Sequence, residues 1–84
     1  MSTSTTWKTQ DDALHLSVTL PTFLAAIDLV NKVAVMAEEM DHHPDIDIRW
    51  RTVTFILRTH SANAITELDY RLAERIDALV ASQN

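Results

Sequence analysis

The periodicity of the chain changes at Pro21. Before it, "ALHLSVTL" alternates Leu14, Leu16, Val18 and Leu20 with Ala13, His15, Ser17 and Thr19, the period of two of a strand with one buried face. After it, "PTFLAAIDLVNKVAVMAEEM" places Phe23, Ile27, Val30, Ala34 and Ala37 on one helical stripe, with Pro21 in the first turn. A second set, Leu29, Val33, Met36 and Met40, widens the apolar surface beyond one stripe. A helix apolar over so much of its circumference is expected to touch two things, its own sheet and another subunit.

The same switch occurs again downstream. Pro44 is expected to end the helix and to hold His43 extended, because proline disfavours α geometry in the residue before it. "DIRWRTVTFILRTH" is rich in β-branched and aromatic residues and predicts strands over 48–51 and 53–59. Val53, Phe55 and Leu57 should face one side, and Thr54, Ile56, Arg58 and His60 the other. A further strand is expected over 6–10, joined to 13–19 by a turn at Gln10-Asp11-Asp12. The chain has no glycine, so Asn and Asp must make the tight turns, and Asn63 in "SANA" is the best candidate for a positive φ. The last helix should start at Thr66, with Asp69 three residues on as in a capping box, and bury Leu68, Leu72, Ile76, Leu79 and Val80. The expected fold is α+β: a four-stranded antiparallel sheet with two helices packed on one face, in the order β-β-α-β-β-α.

Composition removes whole classes of function. Eighty-four residues suffice for one domain, 1–84, with a small core, and 46% hydrophobic residues exclude a disordered tail. A core that small makes self-association plausible. A net charge of −5, from 7 basic and 12 acidic residues, argues against a binder of nucleic-acid backbones. No apolar run approaches the roughly 20 residues of a membrane span. The start lacks the pattern of a signal peptide, so the cytoplasm is the expected compartment. The absence of cysteine excludes disulfides and thiolate metal sites.

What remains is "DHHP" at 41–44. His42 and His43 stand at the end of a predicted helix, where the helix dipole favours a positive charge; helix capping alone would also account for them. His60 stands at a strand end, where an exposed histidine is ordinary. A metal site is not expected: adjacent histidines rarely turn both rings to one ion, and Glu38 and Asp41 do not complete a recognisable ligand spacing. Trp7 and Trp50 fit core or pocket-wall positions better than base stacking.

Taken together, the spacing is more informative than its parts. Glu38, three residues, His42-His43-Pro44, five residues, Trp50, nine residues, His60, eight residues and Asp69 resemble the signature of the pterin-4a-carbinolamine dehydratases. "VAVMAEEMDHHP", "RTH" and "ITELDYRLAERID" agree locally, and the resemblance runs from about residue 6 to the end. It implies a pterin substrate, catalysis by His42, His43 and His60 with Asp69 beside them, and a pocket lined or supported by Glu38, Asp41, Pro44, Trp7 and Trp50. It implies no cofactor, no metal, and a homodimer through sheet edges or a homotetramer through helices, with neither nucleic acid nor membrane as partner. Relatives usually begin with an extra helix, expected to be absent here. Thr6, Ile46-Asp47, Arg51 and Ala64 depart from the family pattern. Some relatives also bind a homeodomain transcription factor, and no feature of this chain points to that role.

The family reaction removes water from a carbinolamine. An acid must protonate the departing hydroxyl, and a base must take the proton from the neighbouring ring nitrogen. Imidazoles can do both near neutral pH. A non-catalytic pterin-binding or protein-binding homo-oligomer on the same fold is the alternative.

Overall fold

In a computed structural model, which describes residues 7–82, the alternating segment is strand β2 (Ala13–Thr19). Leu14 and Leu16 are buried while Ser17 and Thr19 are exposed, as a period of two requires. Strand β1 (Lys8–Gln10) pairs with it antiparallel, Gln10 opposite Ala13. Thr6, at the start of the expected first strand, lies outside the described residues. The two-residue turn between these strands is Asp11-Asp12, with φ of 54° and 60°. Positive φ at both central positions matches the right-handed twist of a hairpin, a conformation that glycine adopts without strain and aspartate adopts at a cost. Asp12→Gly is therefore expected to stabilise the protein by up to about 1 kcal/mol, since it also removes one of two adjacent like charges. Thermal unfolding would show this as a rise of several degrees in Tm, and an unchanged or lower Tm would contradict it.

The sheet order is β1-β2-β4-β3, antiparallel throughout, with β3 at Asp45–Arg49 and β4 at Thr52–Leu57. Both later strands begin before the expected 48–51 and 53–59. The chain becomes extended directly after Pro44, and Ile46 and Ile48 alternate with Asp45 and Asp47 on the pleat. Trp50 and Arg51, expected in a strand, form the hairpin turn, with Trp50 at φ 59°. Val53, Phe55 and Leu57 are fully buried, facing the helices. On the opposite face hydroxyls pair across strands, Ser17 with Thr54 at 2.8 Å and Thr19 with Thr52 at 3.0 Å.

Helix α1 (Phe23–Met40) starts two residues after Pro21, the proline expected in its first turn, because Thr22 is its N-cap and its hydroxyl accepts the Ala25 N–H at 3.0 Å. Its buried face is Ala26, Leu29, Val33 and Ala37, with Met36 and Met40 packed partly against the core. This corrects the expected assignment of faces. Leu29, Val33, Met36 and Met40, expected at a subunit contact, form the inward stripe, whereas Phe23 and Ala34 from the expected core stripe are exposed. Both stripes are sound on a helix so apolar, and periodicity cannot choose between them. The exposed large apolar residues of α1 are Phe23, Leu24 and Val35.

Helix α1 ends at Asp41, three residues before Pro44. Asp41 is left-handed, at φ 51°, and the His42 N–H returns to the Ala37 carbonyl at 3.0 Å. Helix α2 (Glu67–Ser82) buries Leu72, Ala73, Ile76 and Val80 in the same core as α1, leaving Leu68 largely outside it. The two helices and the inner sheet face thus share one core, the α+β sandwich expected from the element order. No helix among the described residues is long and apolar enough to cross a membrane.

Candidate active site

The left-handed turn at Asp41 reverses the chain at the end of α1, and the next residue, His42, is driven inward. It is 8% exposed. Its Nε2 lies 2.6 Å from Oδ1 of Asp69, which sits in the first turn of α2 and is fully buried. The other carboxylate oxygen, Oδ2, accepts the Thr66 N–H at 2.8 Å and the Thr59 hydroxyl at 2.9 Å. The Thr59 and Thr66 hydroxyls are themselves 2.6 Å apart. One buried carboxylate therefore ties together the end of α1, the exit of β4 and the start of α2. A buried charge of this kind is tolerable because both of its oxygens are hydrogen-bonded. It also gives the capping box an unexpected form: the Asp69 half is present, while the Thr66 hydroxyl is engaged with Thr59.

The chemistry of the pair follows from its donors and acceptors. An ionised carboxylate only accepts, so the proton between the two groups belongs to His42 Nε2. Nδ1 is then the nitrogen through which the ring can give or take a proton.

His43 is exposed, with its Nε2 2.6 Å from Glu38 Oε1 on the last turn of α1. An exposed pair of this kind contributes at most about 1 kcal/mol, so its main effect is to orient the ring. Asp41 acts through its backbone, and its side chain is exposed; Pro44, half-buried, leads into β3. His60 is exposed on the turn that follows β4, and its carbonyl accepts the Asn63 N–H at 3.1 Å. Asn63 has the expected positive φ, 54°.

The tryptophans lie apart from this group. Trp7 is part-buried and donates from Nε1 to Asp77 Oδ1 at 2.8 Å, two helical turns along α2 from Asp69. Trp50 is 71% exposed on the β3–β4 turn, with the Arg51 guanidinium 4.2 Å from its ring centroid. The whole of β3 separates Trp50 from Pro44, roughly 20 Å over six steps of about 3.3 Å. Within one chain, Trp50 therefore does not line a pocket with His42 and His43.

Two concavities, of about 310 and 410 Å³, lie on the open face of the sheet. They are lined by Asp47, Arg49, Thr52, Thr54 and Ile56, and by Lys8, Gln10, His15, Ser17 and Thr54. Neither includes the histidines of the motif, which sit at the end of the sheet where α1, β4 and α2 converge. No three His, Asp or Glu side chains among the described residues are grouped to hold a metal ion.

Sequence reasoning missed Thr59 as a partner of Asp69, whereas the Thr66 N–H to Asp69 contact is the one expected of the capping box. The spacing of Thr66 and Asp69 announced a helix start. Thr59 lies ten residues from Asp69, and the turn at 60–63 is what brings it there.

Comparison with known proteins places the chain in a family. The family described as "Pterin 4 alpha carbinolamine dehydratase" matches residues 1–79. A Mycolicibacterium smegmatis protein named "Putative pterin-4-alpha-carbinolamine dehydratase" is 57% identical over 75 residues, covering 89% of this chain and 80% of that one. A protein of the same name from Mycobacterium leprae is 60% identical over 74 residues, covering 88% and 79%. Among solved structures, a transcriptional coactivator/pterin dehydratase from Brucella melitensis superposes with a TM-score of 0.83 at 34% identity, over 89% of this chain and 81% of that one. A pterin dehydratase-like protein identified as a RuBisCO assembly factor in the alpha-carboxysome shares the fold, with a TM-score of 0.73 at 19% identity, over 98% and 94%. By the extent of the family match and the identity to these relatives, the chain belongs to the pterin 4 alpha carbinolamine dehydratase family.

Proposed function

We propose that the protein removes water from a 4a-hydroxytetrahydropterin, giving the quinonoid dihydropterin, by histidine acid–base catalysis without a metal or cofactor. The observation that carries this reading is the buried His42–Asp69 pair, in a chain of the dehydratase family. Hydroxide leaves C4a poorly unless it is protonated, and the C=N bond forms only as the proton leaves the neighbouring ring nitrogen. His42 and His60 form the acid–base pair. Asp69 fixes the His42 ring and balances the charge that develops when Nδ1 takes up a proton. His43, oriented by Glu38, contacts the substrate, and Asp41 and Pro44 shape the backbone around it. Trp7 and Trp50 are given no substrate contact in this scheme.

The test is a dehydration assay with synthetic 4a-hydroxytetrahydropterin. The protein is expected to accelerate loss of the carbinolamine well beyond buffer, and no acceleration would overturn the reading. The second reading, a non-catalytic pterin- or protein-binding homo-oligomer, is favoured by the exposure of His43, His60 and Trp50. The name of the Brucella melitensis structure joins the two kinds of role. Binding of a pterin or protein without turnover would select it.

Self-association belongs to both readings. Phe23, Leu24 and Val35, with 55%, 78% and 60% of their surfaces exposed, make the outward face of α1 the proposed contact. Light scattering is expected to give a mass of at least two chains, reduced in Leu24→Asp and Val35→Asp. A stable monomer at micromolar concentration would contradict the proposal.

A further inference from the structure

His60 is carried on a tight turn, and the turn is held from two sides. Thr59 and Ala64 pair as an antiparallel bridge, with N–H to carbonyl distances of 3.0 and 3.4 Å. Inside it, the Ala62 N–H donates to the Thr59 carbonyl and the Asn63 N–H to the His60 carbonyl, both at 3.1 Å. From the core side the turn is anchored by the Thr59 hydroxyl on Asp69. From the outer side it is gripped by Arg58. The Arg58 guanidinium donates through Nη2 to the Asn63 carbonyl at 3.5 Å and to the Asn63 side-chain Oδ1. Asn63 is the left-handed residue on which the turn closes.

The His60 ring has no hydrogen bond of its own among those found in the described residues, so the backbone of the turn sets its position. Arg58, meanwhile, is poorly suited to a role in stability alone. Its Nε is buried without a hydrogen-bond partner among the described residues, and leaving a charged group's donor unmade is unfavourable. The spacing of the turn explains why the side chain is nonetheless useful. One cationic group reaches both the main chain and the side chain of Asn63, and so restrains φ, ψ and χ of one residue together.

We infer that Arg58 is a positioning residue for His60: its guanidinium clasps Asn63 and holds the 60–63 turn in the geometry from which the imidazole works. The inference rests on the acid–base role of His60 given above. It assigns no substrate contact to Arg58.

The experiment uses the full chain and the dehydration assay, with Arg58→Ala, Arg58→Lys, Asn63→Gly, His60→Ala and the Arg58→Ala/His60→Ala double variant. Arg58→Ala is expected to lower kcat by about 10- to 100-fold, the scale of a misplaced catalytic group, with KM changed less than about two-fold. Its Tm should be unchanged or raised, because the unpaired Nε goes with it. Asn63→Gly keeps the left-handed backbone but loses Oδ1, and should lose kcat in the same way. Arg58→Lys keeps a single donor and should recover part of the rate. The double variant should fall no further than His60→Ala, because Arg58 acts through His60. Additive losses in the double variant, an unchanged kcat in Arg58→Ala, or a fall in Tm parallel to the fall in kcat would each overturn the inference. If His60→Ala itself keeps full turnover, the acid–base reading fails instead. NMR order parameters then decide the clasp on their own. Loss of order at 60–63 in Arg58→Ala, restored in part by Arg58→Lys, supports it, and unchanged order overturns it.

Discussion

Replacing His42 with alanine is expected to lower kcat by about 10²–10⁴-fold, the contribution of one positioned general acid or base. Two effects are mixed in that substitution and must be separated. Alanine removes the proton-transfer group, and it also leaves Asp69 Oδ1 buried without its 2.6 Å partner. An orphaned buried acceptor costs roughly 1–3 kcal/mol, which a domain of this size would show as a Tm lowered by about 4–8 °C per kcal/mol. His42→Gln divides the two effects. Its amide N–H can donate to Asp69 in place of Nε2–H, but it cannot carry a proton to or from the substrate. The expected result is a Tm close to the original with kcat as low as in His42→Ala. Near-normal turnover in the glutamine variant would remove His42 from the acid–base pair and leave it as an interior ligand of Asp69.

The second large effect is expected at Asp69. From sequence, Asp69→Asn should cost less than about 1 kcal/mol, the scale of a charge at a helix end, because asparagine keeps a hydrogen-bonding side chain. The structure changes that expectation. Asp69 is fully buried, and its oxygens accept from His42, from Thr59 and from the Thr66 backbone. An asparagine has one acceptor oxygen for these three donors. If that oxygen stays with Thr66 and Thr59, the amide NH₂ faces His42 Nε2, which must then accept. The imidazole is forced into the opposite tautomer, with its proton on Nδ1, the nitrogen needed for proton transfer. The expected outcome is a loss of about 10²–10⁴-fold in kcat, with a stability loss of roughly 1–3 kcal/mol from the disturbed buried network. Asp69→Glu is an informative control, because it keeps the charge but displaces it by one methylene. Kinetics unchanged in Asp69→Asn with only a lowered Tm would reduce Asp69 to a helix cap, and it would then leave the catalytic group.

The candidate site was legible to an unequal degree. His42 and Asp69 were both visible as members of a spaced signature, yet their contact was not. They are 27 residues apart, and the contact depends on a left-handed residue at Asp41 and on the packing of α1 against α2. The turn at Asp41 was hidden by Pro44, which looked like the stronger helix stop. A helix ends at the first residue whose left-handed geometry captures the last free carbonyls, and Asp41 meets that condition before the proline is reached. Trp50 shows the reverse. It stood in register with the motif along the chain, and the extended geometry of β3 carries it to the far end of the sheet.

The sequence by itself determined the order of elements, the alternating faces of β2 and β4 and the residue types at the site. These are local properties: a period of two or of 3.6, a proline, a threonine three residues before an aspartate. Only the tertiary structure decided which stripe of α1 lies inward, because two apolar stripes satisfy the same periodicity and one of them packs into the shared core. It also decided that a carboxylate expected at a helix cap is buried as the common partner of His42, Thr59 and Thr66. Burial is a property of what packs around a residue, and no spacing along the chain encodes it.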